Sequence, residues 1–470
     1  MTEDRTISVT PGRLTSTSGY TITRNKEAVT MSWRAFRIGI LALAITAGPL
    51  ATLAAAQGNT IFMPLLVYRT GPYAPSGIPI ANAGSDYFNL LNERDGGING
   101  VKIIVEECET QYDTKQGVEC YERLKGKGPL IVNPYSTGIA YQLVPKAAVD
   151  KVVVHSMGYG MTASADGRWF PWVFNFPMTY WSQASAFVKY VGSQEGGMDK
   201  LKGKKIVHLY LGVAYGKEPN PIFLKQAEKY GFEAKLVEVP APGTEQQAQW
   251  LEIRQYKPDW VILTGFGVMT PAALKGAARV GYPMDHIVGN FWSGSEEDTE
   301  PVGEAAKGYI SAALNPPGKD IKVIQEIERV VYGAGKGNMV NKARIGSVFY
   351  NRGVLTGIMT VEGIRVAQGK FGKKPLTGEQ VRWGLEHIKI DDARLAQLGA
   401  AGFIQPMTVT CADHEAGGAV KFQQWDGTKW KLITDWIQAD KALVRPMVEE
   451  SATKYAKENN ITPRDCSKEG

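Results

Sequence analysis

Cysteine and histidine are scarce in this chain, with four of the first and five of the second. The histidines (His155, His208, His286, His387 and His414) are scattered, with no H-E-x-x-H pair, which argues against a zinc peptidase or a structural zinc site. No G-x-S-x-G nucleophile elbow is present. Gly333-Ala334-Gly335-Lys336-Gly337-Asn338 lacks the Gly-x4-Gly-Lys-Ser/Thr spacing of a phosphate loop and reads as a surface loop. Cys411-Ala412-Asp413-His414 pairs a thiol with a base, but too close in sequence to define a triad. No catalytic residue, cofactor or metal is therefore expected. Charge of one sign is also in short supply: 53 Lys and Arg face 47 Asp and Glu, a net charge of +6. No like-charged block is long enough for a basic arm, so nucleic acid is not an expected partner.

Only one long apolar run stands out, Ile38 to Leu53, and it lies near the start. Arg34 and Arg37 precede it and Ala54-Ala55-Ala56 follow, the order of a signal peptide. Gly48-Pro49 interrupt the run, which is short for a membrane span. Cleavage is expected after Ala56, with residues 1–56 removed and the mature chain exported to the periplasm. Met31 offers a second initiation site, which would make the polar stretch before it an upstream extension. An even cysteine count in an exported chain suggests two disulfides. Three pairings are open; proximity favours Cys108 with Cys120, leaving Cys411 and Cys466 to tie down a polar C-terminal tail.

At 470 residues the chain is too long for one ordinary core. From Thr60 onward short apolar runs alternate with helical stretches. Strands are expected at Ile61–Val67, Val101–Glu107, Leu130–Val132 and Val152–His155, with helices at Ala81–Glu93 and Thr114–Lys125. The alternation then restarts. Strands fall at Lys205–Leu211, Glu233–Val239, Trp260–Thr264 and Ile287–Phe291, and helices at Trp181–Val191, Pro221–Tyr230 and Pro271–Arg279. Two later helices are expected at Ile345–Gln368 and Gly378–His387, and a hairpin with an Asp-Gly turn at Gln423–Trp430. This pattern predicts an α/β fold of two lobes, each a parallel-rich sheet flanked by helices.

Several ordered patterns resemble one family, the branched-chain amino acid (Leu/Ile/Val) binding proteins of ABC importers, with the type I periplasmic binding fold. They are Thr70-Gly71-Pro72-Tyr73-Ala74 with Gly77, the turn from Asn92 to Gly100, Tyr112-Asp113-Thr114-Lys115-Gln116, and Asn133 to Gly138. In the second half they are Ala214-Tyr215-Gly216 and Pro258 to Leu263 with Gly265. The resemblance spans Thr60 to about Trp436. It implies a first lobe at about 57–178 plus 316–405 and a second at 179–315 plus 406–470. The lobes would be hinged by crossovers and close over a small-molecule ligand destined for an inner-membrane ABC permease complex.

Carried over position by position, the resemblance places a carboxylate-gripping loop at Tyr135, Ser136 and Thr137, where a helix cap is the competing role. It places close backbone approach at Gly158 and Gly160, with Tyr159 a departure from the family pattern. It puts aromatic lining at Tyr215 and Phe266. Where the family uses an acid to neutralise an ammonium, this chain reads Asn290-Phe291-Trp292. Glu296, Glu297 and Asp298 follow several residues on and would serve only if the loop folded back. With Tyr73, Tyr135, Tyr159, Phe266, Phe291 and Trp292 as candidate lining, a carboxylate with an aromatic or apolar body is the expected ligand. An amino acid or amide ligand is the alternative, and a secreted hydrolase or a sensor domain are the readings from other classes.

Overall fold

The computed structural model describes residues 59–469. The expected leader, its cleavage site and the second start at Met31 lie outside the described residues.

In chain order the first lobe begins with β1 (Thr60–Val67), α1 (Ala74–Asp95), β2 (Lys102–Glu109), α2 (Thr114–Lys125), β3 (Ile131–Val132), α3 (Thr137–Asp150), β4 (Val153–His155) and β5 (Val173–Phe174). β1 pairs with β2, and β3, β4 and β5 follow one another, all parallel. A parallel bridge from Leu65 to Asn133 joins the two groups, giving the order 2-1-3-4-5.

The second lobe repeats that plan. α4 (Tyr180–Gln194), β6 (Lys205–Leu211), α5 (Ala214–Lys217), α6 (Asn220–Tyr230), β7 (Glu233–Val239), α7 (Gln247–Tyr256), β8 (Trp260–Thr264), α8 (Met269–Val280), β9 (Ile287–Gly289), α9 (Glu296–Thr299) and β10 (Ile310–Ala313) follow. The parallel order is 7-6-8-9-10, the same reversal about the first strand. β6 and β8 are buried almost throughout because helices cover both faces, which is why they read as unbroken apolar runs.

The chain returns to the first sheet with α10 (Lys322–Ile327), α11 (Val348–Phe371), α12 (Gly378–Glu386), β11 (Lys389–Ile390), α13 (Asp392–Gln397) and β12 (Met407–Thr408). α11 packs along α1, and its ends are fixed by Ser347, whose hydroxyl caps Tyr350 N–H, and by the break at Gly372. β13 (Ala419–Trp425) then adds antiparallel to β10, followed by β14 (Trp430–Leu432) and β15 (Ile437–Gln438), and α14 (Lys441–Glu458) closes the fold. The backbone therefore passes between the sheets three times: after Phe174, after Ala313 and after Thr408.

Some expectations need correction. The helix expected from Ala81 starts at Ala74 and runs through Pro79. The strand expected to reach Phe291 stops at Gly289, because Asn290 turns the chain by accepting the Trp292 N–H at 3.0 Å. The expected polar tail contains an 18-residue helix that buries Val444, Val448, Ala452 and Ala456. Disulfides join Cys108 to Cys120 and Cys411 to Cys466. Among the described residues no helix is long and apolar enough to cross a membrane.

Candidate functional site

In both sheets the strand order reverses between the first and third strands, and loops leaving the carboxyl ends of strands on either side of such a point enclose a crevice. Here the two crevices face each other. Between them lies a cavity lined by Tyr112, Tyr135, Thr137, Tyr159, Tyr180, Tyr215, Phe266 and Trp292. Each comes from a segment just beyond a strand or at a helix start: Tyr112 after β2, Tyr135 and Thr137 after β3, Tyr159 after β4, Tyr180 at α4, Tyr215 after β6, Phe266 after β8 and Trp292 after β9. About 210 Å³ there is unfilled by atoms. Larger hollows lie on charged surfaces of α14 and between α7 and α8, away from the strand ends.

The first lobe contributes hydroxyls. Tyr135 adopts a left-handed backbone (φ +49°) and donates its N–H to the Tyr159 Oη at 2.7 Å. Ser136 caps α3, accepting the Ile139 N–H at 3.4 Å. Thr137 Oγ1 lies 3.1 Å from Tyr180 Oη. The start of α3, with its unpaired N–H groups and partial positive charge, thus borders the cavity. Gly158 and Gly160 stand behind it. Gly158 has φ +73°, and a Cβ there would lie 2.7 Å from Phe291 Cζ. Its carbonyl accepts the Trp292 Nε1–H at 3.4 Å.

The second lobe contributes rings. Phe266 is the hub, with ring centroids at 5.4 Å from Tyr112, 5.8 Å from Tyr73, 5.9 Å from Tyr215 and 6.1 Å from Trp292. Tyr215 Oη donates to the Gly265 carbonyl at 2.7 Å and accepts from Asn290 Nδ2 at 2.7 Å. Burial raises the phenols of Tyr112, Tyr159, Tyr180 and Tyr215 above their ordinary value and pushes Tyr135 up to about 12. These groups therefore stay neutral at physiological pH and can offer an anion hydrogen bonds but no charge.

The lobes are closed on one another. Val268 donates its N–H to the Pro72 carbonyl at 3.2 Å. Gly267 makes this approach possible: it has φ +56°, and a Cβ would sit 2.8 Å from Pro72 O. Elsewhere between the lobes the half-buried Glu218 carboxyl accepts the Tyr141 hydroxyl and, at 2.7 Å, the Thr162 N–H.

Six residues singled out in the sequence line the cavity together: Tyr135, Thr137, Tyr159, Tyr215, Phe266 and Trp292. Tyr73, Ser136, Gly158, Gly160 and Phe291 do not line it; Tyr73 stacks on Phe266, Ser136 caps α3, Gly158 and Phe291 meet Trp292, and Gly160 faces Ser156 and Ala140. Tyr112 and Tyr180 escaped the sequence reading because each sits in the turn before or at the start of a helix, where a tyrosine gives no local signal. No acidic residue lines the cavity. Glu296 accepts the Val348 N–H at 2.9 Å, Asp298 holds Ser295 at 2.9 Å, and Glu297 faces Arg344 at 3.9 Å. After β9, where the resemblance implies an acid, the chain reads Asn290-Phe291-Trp292, and the Asn290 amide shapes the turn.

Known proteins share this fold. A structure described as an ABC transporter permease from the Pseudomonas fluorescens group is 47% identical, covers 87% of this chain and 99% of its own, and superposes with a TM-score of 0.82. At 17% identity, a solute-binding protein of an ABC transporter from R. palustris in complex with benzoate covers 81% of this chain and 97% of its own, with a TM-score of 0.64. A branched-chain amino acid ABC transporter protein from Thermus thermophilus with bound valine is 22% identical, covers 83% and 98%, and has a TM-score of 0.69. A search of the curated proteins found no match. The periplasmic binding protein model matches residues 60–429, and with a two-lobed fold closed over a ring-lined cavity the chain belongs to the periplasmic binding protein family.

Proposed function

We propose that this chain captures a small organic carboxylate with an aromatic or apolar body, by hinge closure, and delivers it to an inner-membrane ABC permease complex. Substrate binding for an ABC importer is the role of its family. It acts in the periplasm, without turnover of the ligand, after loss of residues 1–56. The proposed lobes are 57–178 with 316–405 and 179–315 with 406–470.

One observation carries the ligand class. The cavity presents seven rings and one threonine, beside the start of a 14-residue helix, with no acid in its lining. An α-ammonium buried there would lack a counter-charge, which is costly. A ring or alkyl body meets aromatic faces, and a carboxylate meets hydroxyls and the helix start. The volume is below the usual range for drug-sized ligands, which favours a compact solute. Benzoate-bound and valine-bound neighbours share the fold, and the acid-free lining favours a ligand like the first over one that carries an ammonium.

The test is a thermal shift screen with benzoate, hexanoate, valine and benzamide, each assayed afterwards for chemical change. Benzoate or hexanoate should raise the melting temperature and be recovered intact. Stabilisation by valine alone, or conversion of any of the four, would overturn the reading.

A further inference from the structure

Arg352, on α11, is wholly buried, yet its guanidinium is only partly satisfied. Its Nε donates to Asn315 Oδ1 at 2.5 Å, while Nη1 and Nη2 find no acceptor among the described residues. The guanidinium carbon lies 4.8 Å from the Phe291 ring centroid and 4.9 Å from that of Trp292. Ring faces attract a cation but do not neutralise it. Burial draws the group down to about 9, which leaves it a cation at neutral pH, and the titratable group acting on it is Tyr215, not a carboxylate.

Arg352 does not line the cavity but stands one layer behind it, packed on Trp292, which does. One turn earlier, Phe349 lies 6.3 Å from both Phe266 and Trp292. One turn later, Thr356 Oγ1 donates to the Arg352 carbonyl at 3.0 Å and to Met157 Sδ at 3.4 Å. Asn315, which holds the Nε, lies in the segment where the chain crosses back between the sheets. A buried cation without a counter-ion destabilises the closed fold, and an anion brought into the neighbouring cavity lowers that cost through attraction at low dielectric.

Resting on the carboxylate reading above, we infer that Arg352 is the specificity-determining cation of the site, making the closed receptor select anionic ligands over neutral ones of the same shape. The hydroxyls orient the carboxylate and Arg352 supplies the opposite charge.

The test is isothermal titration calorimetry of the exported chain, dialysed free of carried-over solute, with two matched pairs: benzoate with benzamide, and hexanoate with hexanamide. In the unaltered chain at least one acid should bind 100-fold or more tighter than its amide. Arg352→Gln should weaken that acid at least 30-fold and change the amide less than threefold. Arg352→Lys should keep a preference for the acid at reduced affinity. If acid and amide bind the unaltered chain alike, the inference is overturned, and that comparison stands even where a variant fails to fold. An acid preference that survives intact in Arg352→Gln overturns the role of Arg352 while leaving the carboxylate reading standing. If none of the four binds, the carboxylate reading falls, and this inference with it.

Discussion

Buried histidines tie stability to pH, and His208 is one of them. His208, at the centre of the second sheet, has Nδ1 2.8 Å from Asn220 Oδ1 and Nε2 2.8 Å from Thr264 Oγ1. Burial lowers its pKa to about 4, from an ordinary value near 6.5. Because the folded value is the depressed one, the unfolded chain binds a proton first as pH falls. The stability tied to the neutral ring is complete above about pH 6.5 and is lost towards pH 4. At pH 4.5 the loss amounts to about 2–3 kcal/mol. In His208→Gln, the drop in urea-unfolding free energy from pH 7 to pH 4.5 should be smaller than in the unaltered chain by that amount. An identical drop in both would remove His208 as the source. Nothing in the sequence marked His208 beyond its place in an apolar strand. The aromatic residues of the site were easier to read, because Tyr135, Tyr159, Phe266 and Trp292 each follow a recognisable strand. Arg352 went unnoticed: an arginine in a long helix ordinarily faces solvent, and only packing against Phe291 and Trp292 shows otherwise.

At the level of elements, strands and helices with strong local patterns were legible and those shaped by distant contacts were not. Thr114–Lys125 and Lys205–Leu211 fall where the pattern puts them, one begun by the Asp113 cap and the other an apolar run. α3 was hidden because Pro145 and glycine interrupt its period, and α14 because its buried stripe is four small or β-branched residues among charges. α14 packs on α4 and on residues 162–165, and the segment beyond it is fastened by Arg464 to the buried Glu386 and by Cys466 to Cys411. That disulfide spans 55 residues, against 12 for Cys108–Cys120. Loop-closure entropy assigns the longer bridge about 4 kcal/mol and the shorter about 3 kcal/mol. Urea unfolding of Cys411→Ser/Cys466→Ser should therefore show a larger loss than Cys108→Ser/Cys120→Ser, with faster amide exchange in α14. Equal losses, or the reverse order, would contradict this account.

For the whole molecule, the sequence carried the two-lobed plan but not the contacts that hold the lobes together. Tyr141 and Glu218 are 77 residues apart and join one lobe to the other. Tyr141→Phe leaves the half-buried Glu218 carboxyl with the Thr162 N–H as its remaining first-lobe partner, so the open form should gain population. Small-angle scattering should then report a larger radius of gyration for the ligand-free variant, and affinity should fall several-fold. An unchanged radius would show that closure does not depend on this contact. The three passages between sheets bear on synthesis as well. α1 is covered by α11, which the ribosome makes only after every parallel strand of the second sheet has emerged. At roughly 5–20 residues per second, the amino-terminal half waits tens of seconds for its covering helix. During that interval the nascent polypeptide has no finished globule, and so remains a strand that can still be threaded.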